Sequence, residues 1–328
     1  MSARPAWGMH ADIDMIEYLK VARIDHWLKN VFIVFGHAVA LVLVLQMEVT
    51  TALLVKAALS LVPACLIASA NYILNEILDA PFDKLHPTKK DRPIPAGRVS
   101  IAILWWMKAG CIVVGFALAW WWFPNPGYLI ALGLLLLSGI VYNVRPLRLK
   151  DRAFLDVIAE SFNNPIRLWL GWYALVETNA MPPLSITLAW WSFGALLMTG
   201  KRYSEFRFIA DKELSGLYRK SFQIYTEQSL VIAMVTYANL FCFGYGWAVS
   251  SYGVLNNLVF VFPFILLAVS AYFRHAMSEV GARLEPEQLL RHPWIIVWTV
   301  VTSLLAAFLL YADKADWFHA KELMRTGQ

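Results

Sequence analysis

Apolar runs of roughly 20 residues recur along this chain between short polar segments, the length a helix needs to cross the hydrocarbon of a bilayer. Nine such runs are predicted as spanning helices, at about 27–47, 52–74, 101–122, 126–144, 154–175, 184–200, 224–249, 255–274 and 293–312. The pattern is that of an all-α, polytopic membrane protein. Ahead of the first run, residues 9–26 place Ile13, Ile16, Leu19 and Ile24 at roughly helical intervals among charges. That spacing predicts a short amphipathic helix lying in the membrane interface. No Ser/Gly linker or low-complexity tract interrupts the chain, so one integral domain at 27–312 is expected, with an interfacial segment at 1–26 and a tail at 313–328. Trp105, Trp106, Trp120, Trp121, Trp122, Trp190, Trp191, Trp294 and Trp298 fall near predicted span ends, where indoles anchor.

Composition sharpens this reading. Hydrophobic residues make up 59% of the chain and charged residues 16%, whereas a soluble domain carries about a quarter charged. The polar first 26 residues show no cleavable signal peptide pattern. Alternate inter-span segments (1–30, 76–100, 143–152, 201–220 and 274–292) hold 22 of the 28 Lys and Arg. The loops near 48–51, 123–125, 176–183 and 250–254 hold none. Cationic loops stay on the cytoplasmic side, so the N-terminus is expected inside and the C-terminus outside, in an inner or plasma membrane. A net charge of +5 gathered on one face attracts anionic lipids and phosphorylated substrates and gives no reason to invoke nucleic acid. Cys65, Cys111 and Cys242 stand singly inside runs and read as packing residues.

The candidate chemistry lies in the cationic loops. From Asn71 to Gly97 the chain reads NYILNEILDAPFDKLHPTKKDRPIPAG. Asn75 and Asp79 are four apart and share a helix face, while Pro81 is expected to disturb the helix before Asp83. Asn75, Glu76, Asp79 and Asp83 suit Mg²⁺, which takes one or two protein carboxylates plus phosphate oxygens and water. A hydrated helix end with solvated charges is the plainer reading of the same residues. Lys89 and Arg92 follow among prolines, and Arg92 is the candidate for a bidentate phosphate contact. In the fifth run, Asp156, Asn163 and Arg167 fall close to one helical stripe, which either faces an active cavity or stabilises helix packing. Lys108 is a snorkelling lysine or a partner of that stripe. The loops after spans two and six both combine carboxylates with cations, as duplication of a four-helix unit would place them.

Asn75-Glu76-x-x-Asp79-x-x-x-Asp83, followed by Arg92-Pro93 and Gly97, resembles the first aspartate-rich motif of the UbiA superfamily of intramembrane prenyltransferases. The family pattern is NDxxDxxxD, and Glu76 departs from it conservatively. His26-Trp27-Leu28-Lys29-Asn30 is similar to the (Q/H)WxKN signature of the polyprenyl-phosphate phosphoribosyltransferase branch, as for decaprenyl phosphate. HPTKKDRPI, from His86, is similar to that branch's HPxKxxRPI, and Tyr142, Leu149-Lys150, Leu155-Asp156-Val157 and Lys201-Arg202-Tyr203-Ser204-Glu205 match it as well. Two departures stand out. The second DxxxD motif of many prenyltransferases is missing from 200–228, where Glu205, Asp211, Glu213 and Glu227 are the acidic groups. SFNNPIRLW, at 161–169, replaces a glycine-containing segment before the arginine that Arg167 would match.

The resemblance implies about nine helices around a central cavity and Mg²⁺-dependent transfer of 5-phosphoribose from phosphoribosyl diphosphate to a polyprenyl phosphate, with the site facing the cytoplasm. Asn75, Asp79, Asp83 and Arg92 are the implied catalytic set. Asp79, Asp83, Asn75 and Glu76 are the implied metal ligands. Lys29, Lys89, Tyr142, Lys150, Asp156, Asn163, Arg167, Lys201, Arg202 and Glu205 are the implied substrate contacts. Two rivals remain. One is a prenyltransferase taking a prenyl diphosphate and an aromatic acceptor. The other is a non-catalytic lipid-binding or transport protein. Lipid length and oligomeric state stay open.

Overall fold

The computed structural model describes residues 15–84, 89–178, 180–208, 220–278 and 293–314, and every regular element among them is helical. Helix α1 (Met15–Val21) leads through a 3₁₀ segment (Ile24–Val31) into α2 (Phe32–Leu43). Then come α3 (Thr51–Asp83), α4 (Ile101–Trp122), α5 (Pro126–Asn143), α6 (Leu155–Ser161), α7 (Asn163–Leu175) and α8 (Leu184–Phe208). The chain continues through α9 (Glu227–Ser251), a 3₁₀ segment (Gly253–Val261), α10 (Phe262–Met277) and α11 (Pro293–Lys314). All nine predicted runs coincide with helix. Six helical stretches among the described residues are long and apolar enough to cross a bilayer, and α11 holds a shorter apolar stretch, Val297–Ala312. This is an integral membrane protein.

Local signals explain where helices begin. The Thr50 hydroxyl accepts the Leu53 N–H at 3.3 Å, and Asn125 accepts the Gly127 N–H at 2.8 Å with Pro126 opening α5. Thr226 and Ser229 form a reciprocal capping box at the start of α9. Residues 15–21 of the predicted interfacial helix fold as α1, while 9–14 lie outside the described residues. The outer side of α1 exposes Met15, Ile16 and Leu19, and its inner side buries Tyr18, whose hydroxyl accepts the Ser100 N–H at 2.9 Å.

Two elements differ from expectation. Helix α3 runs on through Pro81 to Asp83, 33 residues in all. The proline removes one backbone bond near the helix end, and side-chain pairs from Glu76 and Asp83 to Arg92 fasten the same turns from outside. The predicted span at 154–175 is two helices, because α6 ends at Ser161 and α7 begins at Asn163. Pro165 sits in the first turn of α7, where its missing N–H is tolerated.

Helix α2 lies along α7, α3 along α4 and α5, and α9 along α8. At the α2–α7 crossing the backbones touch. A methyl on Gly36 would run into the Leu168 carbonyl, and one on Gly171 into the Ile33 carbonyl. Gly171→Val is therefore expected to cost at least about 1–3 kcal/mol by overpacking. The readout is the thermal midpoint in detergent, and an unshifted midpoint would show that the crossing yields. Trp106, Trp120 and Trp121 are exposed as lipid anchors should be. Trp190 and Trp191 turn inward instead, Trp190 stacking on Phe35 at 4.1 Å between centroids and Trp191 meeting the edge of Tyr237. Lys108 lies over the Trp105 ring at 4.9 Å.

Candidate active site

Three polar clusters lie at or near the end of α3 and the neighbouring helix ends. The first is centred on Lys150, in the short 3₁₀ turn Leu149–Asp151 after α5. Its ammonium meets Asp79 Oδ1 at 2.5 Å, Asn143 Oδ1 at 3.0 Å and Asn75 Oδ1 at 3.2 Å. The i, i+4 spacing on α3 thus delivers two oxygens to one point, and the last residue of α5 supplies a third. Burial pushes the Lys150 amine below the usual lysine range, and the Asp79 carboxylate pulls it partly back. Arg148 adds a second cation, donating to Asp79 Oδ1 at 3.4 Å and Asp151 Oδ2 at 3.0 Å while lying over the Phe82 ring. Arg148 holds a left-handed backbone (φ 32°), unfavourable for a residue with a side chain and found where a site dictates geometry.

The second cluster lies on the adjoining face of α3. Glu76 and Asp83, seven apart, both accept from Arg92 Nη1, at 3.1 and 2.9 Å. Arg23, also left-handed (φ 50°), donates to Glu76 Oε1 at 3.3 Å. Glu76 and Asp83 are buried. The four expected metal ligands therefore divide, Asn75 with Asp79 and Glu76 with Asp83. Arg92, expected on phosphate, is engaged by two carboxylates. Lys89 opens the 3₁₀ turn Lys89–Asp91 just before it, while His86 and Pro87 lie outside the described residues.

The third cluster surrounds Arg202 on α8, which is 1% exposed. Its three nitrogens reach Asp156 Oδ2 at 3.1 Å, Glu160 Oε2 at 2.6 Å and Glu205 Oε2 at 3.2 Å. Asp156 also accepts from the hydroxyls of Ser221 and Tyr225, and Tyr142 donates to Glu160 at 3.2 Å. Tyr142 and Asn143 thus link the third cluster to the first. Lys201 is half-buried beside Arg202.

Asp156 does not share partners with Asn163 and Arg167, since its carboxylate goes to Arg202 on α8. Arg167 instead donates to Asn30 Oδ1 at 3.0 Å and to the Asn163 carbonyl at 3.3 Å. Asn163 accepts from Ser138 at 2.7 Å. Lys29 precedes Asn30 in the 3₁₀ segment before α2.

The model of the UbiA prenyltransferase family matches residues 31–290, most of the chain. The chain belongs to the UbiA prenyltransferase family. It is a membrane-embedded UbiA transferase. A decaprenyl-phosphate phosphoribosyltransferase of Mycobacterium tuberculosis is 29% identical over 277 residues, 83% of this chain and 86% of the relative. One from Mycolicibacterium smegmatis is 28% identical over 240 residues, 71% of this chain and 70% of the relative. A UbiA homologue from Archaeoglobus fulgidus, solved with DMAPP and Mg²⁺, superposes with a TM-score of 0.65 at 16% identity, covering 91% of this chain and 99% of the other. At that identity the likeness establishes the fold.

Among the described residues of this UbiA chain, no three His, Cys, Asp or Glu side chains gather as a metal set. The first cluster still fits Mg²⁺ by donor chemistry. Asn75, Asp79 and Asn143 present three hard oxygens that already converge on one cation, the Lys150 ammonium. Several participants escaped the sequence reading, Ser221 and Tyr225 of the third cluster among them. Asn143 directly follows Tyr142, and Arg148 sits two residues before Lys150. Arg23 lies before the HWLKN signature. Glu160 stands four residues after Asp156, a helical spacing that could have flagged it.

Proposed function

We propose that this UbiA transferase moves 5-phosphoribose from phosphoribosyl diphosphate to a polyprenyl phosphate and releases diphosphate. The observation that carries the reading is the extent of likeness to relatives of that name, more than two thirds of each chain. The meeting of Asp79 with Lys150 and Arg148 supports it, since one carboxylate flanked by two cations suits a metal–diphosphate leaving group. Asn75, Asp79 and Asn143 would hold Mg²⁺, with Asp83 and Glu76 at the adjacent turns. Bound Mg²⁺ would neutralise charge on the diphosphate oxygens.

The C1–O bond to diphosphate breaks with its electron pair leaving on the diphosphate oxygen. Lys150 and Arg148 stabilise that growing charge, with Arg92 held at α3 by Glu76 and Asp83 and Lys89 three residues before it. A lipid-phosphate oxygen forms the new C1–O bond from the opposite face. That oxygen is already ionised, so the step needs no strong general base. Tyr142 ties Asn143 of the first cluster to the ion network of Asp156, Arg202 and Glu205, beside Lys201, and that network would hold the neighbouring substrate contacts in place. The charge asymmetry of the loops supports a site facing the cytoplasm, in an inner or plasma membrane.

The test uses purified protein in vesicles with labelled phosphoribosyl diphosphate and a polyprenyl phosphate. Labelled lipid should accumulate with one diphosphate released per transfer, and only with Mg²⁺ present. Product from a prenyl diphosphate and an aromatic acid, without labelled lipid, would replace this reading with prenyl transfer. No diphosphate from either pair would return the protein to a lipid-binding or transport role.

A further inference from the structure

Lys56 and Lys108 both lie within the first turns of a spanning helix, and the chain answers them differently. Lys56 is five residues into α3, at the end that follows the cation-free loop at 48–51, and its ammonium meets Glu177 at 2.7 Å. Lys108 is seven residues into α4, at the end that follows the cationic loop carrying Arg92 and Arg98. Among the described residues it has no carboxylate within 4 Å, and its ammonium lies over the Trp105 ring instead. A ring face eases a charge without neutralising it. An ammonium at membrane depth is costly unless an anion answers it.

Helix geometry sets the height of that anion. Seven residues put the Lys108 backbone about 10 Å below the start of α4. Helical side chains lean toward the N-terminus, and a lysine stem extends that way to bring its charge to the headgroups. The ammonium lies over Trp105, three residues earlier, so the stem climbs in that direction. Trp105 and Trp106 are exposed, as indoles at headgroup level are. Val113 and Val114, two turns deeper on the side of Trp106, are exposed as well. Headgroup-level and acyl-level surface are thus continuous along one helix. Among the described residues, none of the three polar clusters takes a side chain from α4, so this surface is separate from the transfer site.

We propose that Lys108, with Trp105 and Trp106, seats the headgroup of an anionic diacyl phospholipid, whose chains lie along α4 over Val113 and Val114. Charge selects the occupant. The ammonium calls for an anion at headgroup height, and the cytoplasmic leaflet supplies anionic headgroups that draw lysines near its surface. Such a lipid belongs to the shell around the enzyme rather than to the reaction, and its seat does not depend on which group is transferred.

The test is photo-crosslinking of the full chain in phosphatidylcholine vesicles, with a trace of phosphatidylglycerol or phosphatidylcholine bearing a photoreactive acyl chain. Labelling of α4 peptides is measured against labelling of α9 peptides in the same sample. In wild type, phosphatidylglycerol should label α4 more strongly than phosphatidylcholine does. Lys108→Gln should lower the phosphatidylglycerol label on α4 by about fivefold, the worth of one lysine at an anionic surface, and leave the phosphatidylcholine label unchanged. Lys108→Arg should keep the preference. Lys56→Gln should leave the α4 label as it is, since that ammonium already has Glu177. A melting curve reports the fold of each variant, and Lys108→Met removes the same charge if Lys108→Gln does not fold. Equal labelling of α4 by the two lipids in wild type, or an undiminished phosphatidylglycerol label in a folded Lys108→Gln or Lys108→Met, overturns the proposal. So does loss of the α4 label on adding farnesyl phosphate at equimolar amount, which would make the occupant a lipid monophosphate instead.

Discussion

Asp79→Asn should lower diphosphate release by about a thousandfold, the scale of losing a group that organises charge on a leaving group. Asp79 is where α3 meets both Lys150 and Arg148. The amide keeps the side-chain size but takes from Lys150 its bonded carboxylate, leaves Arg148 with Asp151, and removes the carboxylate from the oxygen set formed with Asn75 and Asn143. Burial would then favour loss of the Lys150 proton, because the carboxylate that counters the desolvation is gone. The measurement is single-turnover release of labelled diphosphate, with a melting curve confirming fold. A variant retaining a tenth of the wild-type rate would remove Asp79 from the centre of the chemistry.

Arg202→Met should cost about 3–5 kcal/mol, the scale of breaking a buried ion pair from one side. Asp156 is fully buried, and its carboxylate would lose its guanidinium partner while keeping the hydroxyls of Ser221 and Tyr225. Glu160 and Glu205 would lose their shared cation as well. Against a total stability of roughly 5–15 kcal/mol, that is a large share of the margin, and both yield and thermal midpoint should fall. Monodisperse yield and thermal midpoint in detergent are the readouts. Arg202→Lys should recover little, since one ammonium cannot address three carboxylates in the geometry of a guanidinium. A wild-type midpoint for Arg202→Met would mean that the three carboxylates are protonated or otherwise served.

What the sequence made legible was what local periodicity encodes. The nine runs appear as helix, and Asn75 and Asp79 meet one partner, because both follow from spacing along a single helix. The direction of Glu76 and Asp83 was not legible. Their partner Arg92 returns to them only because the loop after α3 folds back. The split between α6 and α7 was hidden by continuous hydrophobicity, although Asn163-Asn164-Pro165 is a helix-start pattern. Glu160 and Arg202 needed the packing of α6 on α8, a contact that no local pattern carries.

Helix α3 is longer than a single crossing needs. Its 33 residues rise about 50 Å, against a hydrocarbon thickness of roughly 30 Å. The stretch Asn75–Asp83 therefore stands at the height of the lipid headgroups. On the proposed reaction, an acceptor anchored by its tail would reach Asp79 by drifting sideways, its phosphate already at the right level, while a water-soluble donor would descend from bulk solution. One reactant would be sought in two dimensions and the other in three, and crowding of the lipid in its own plane would set how often they meet.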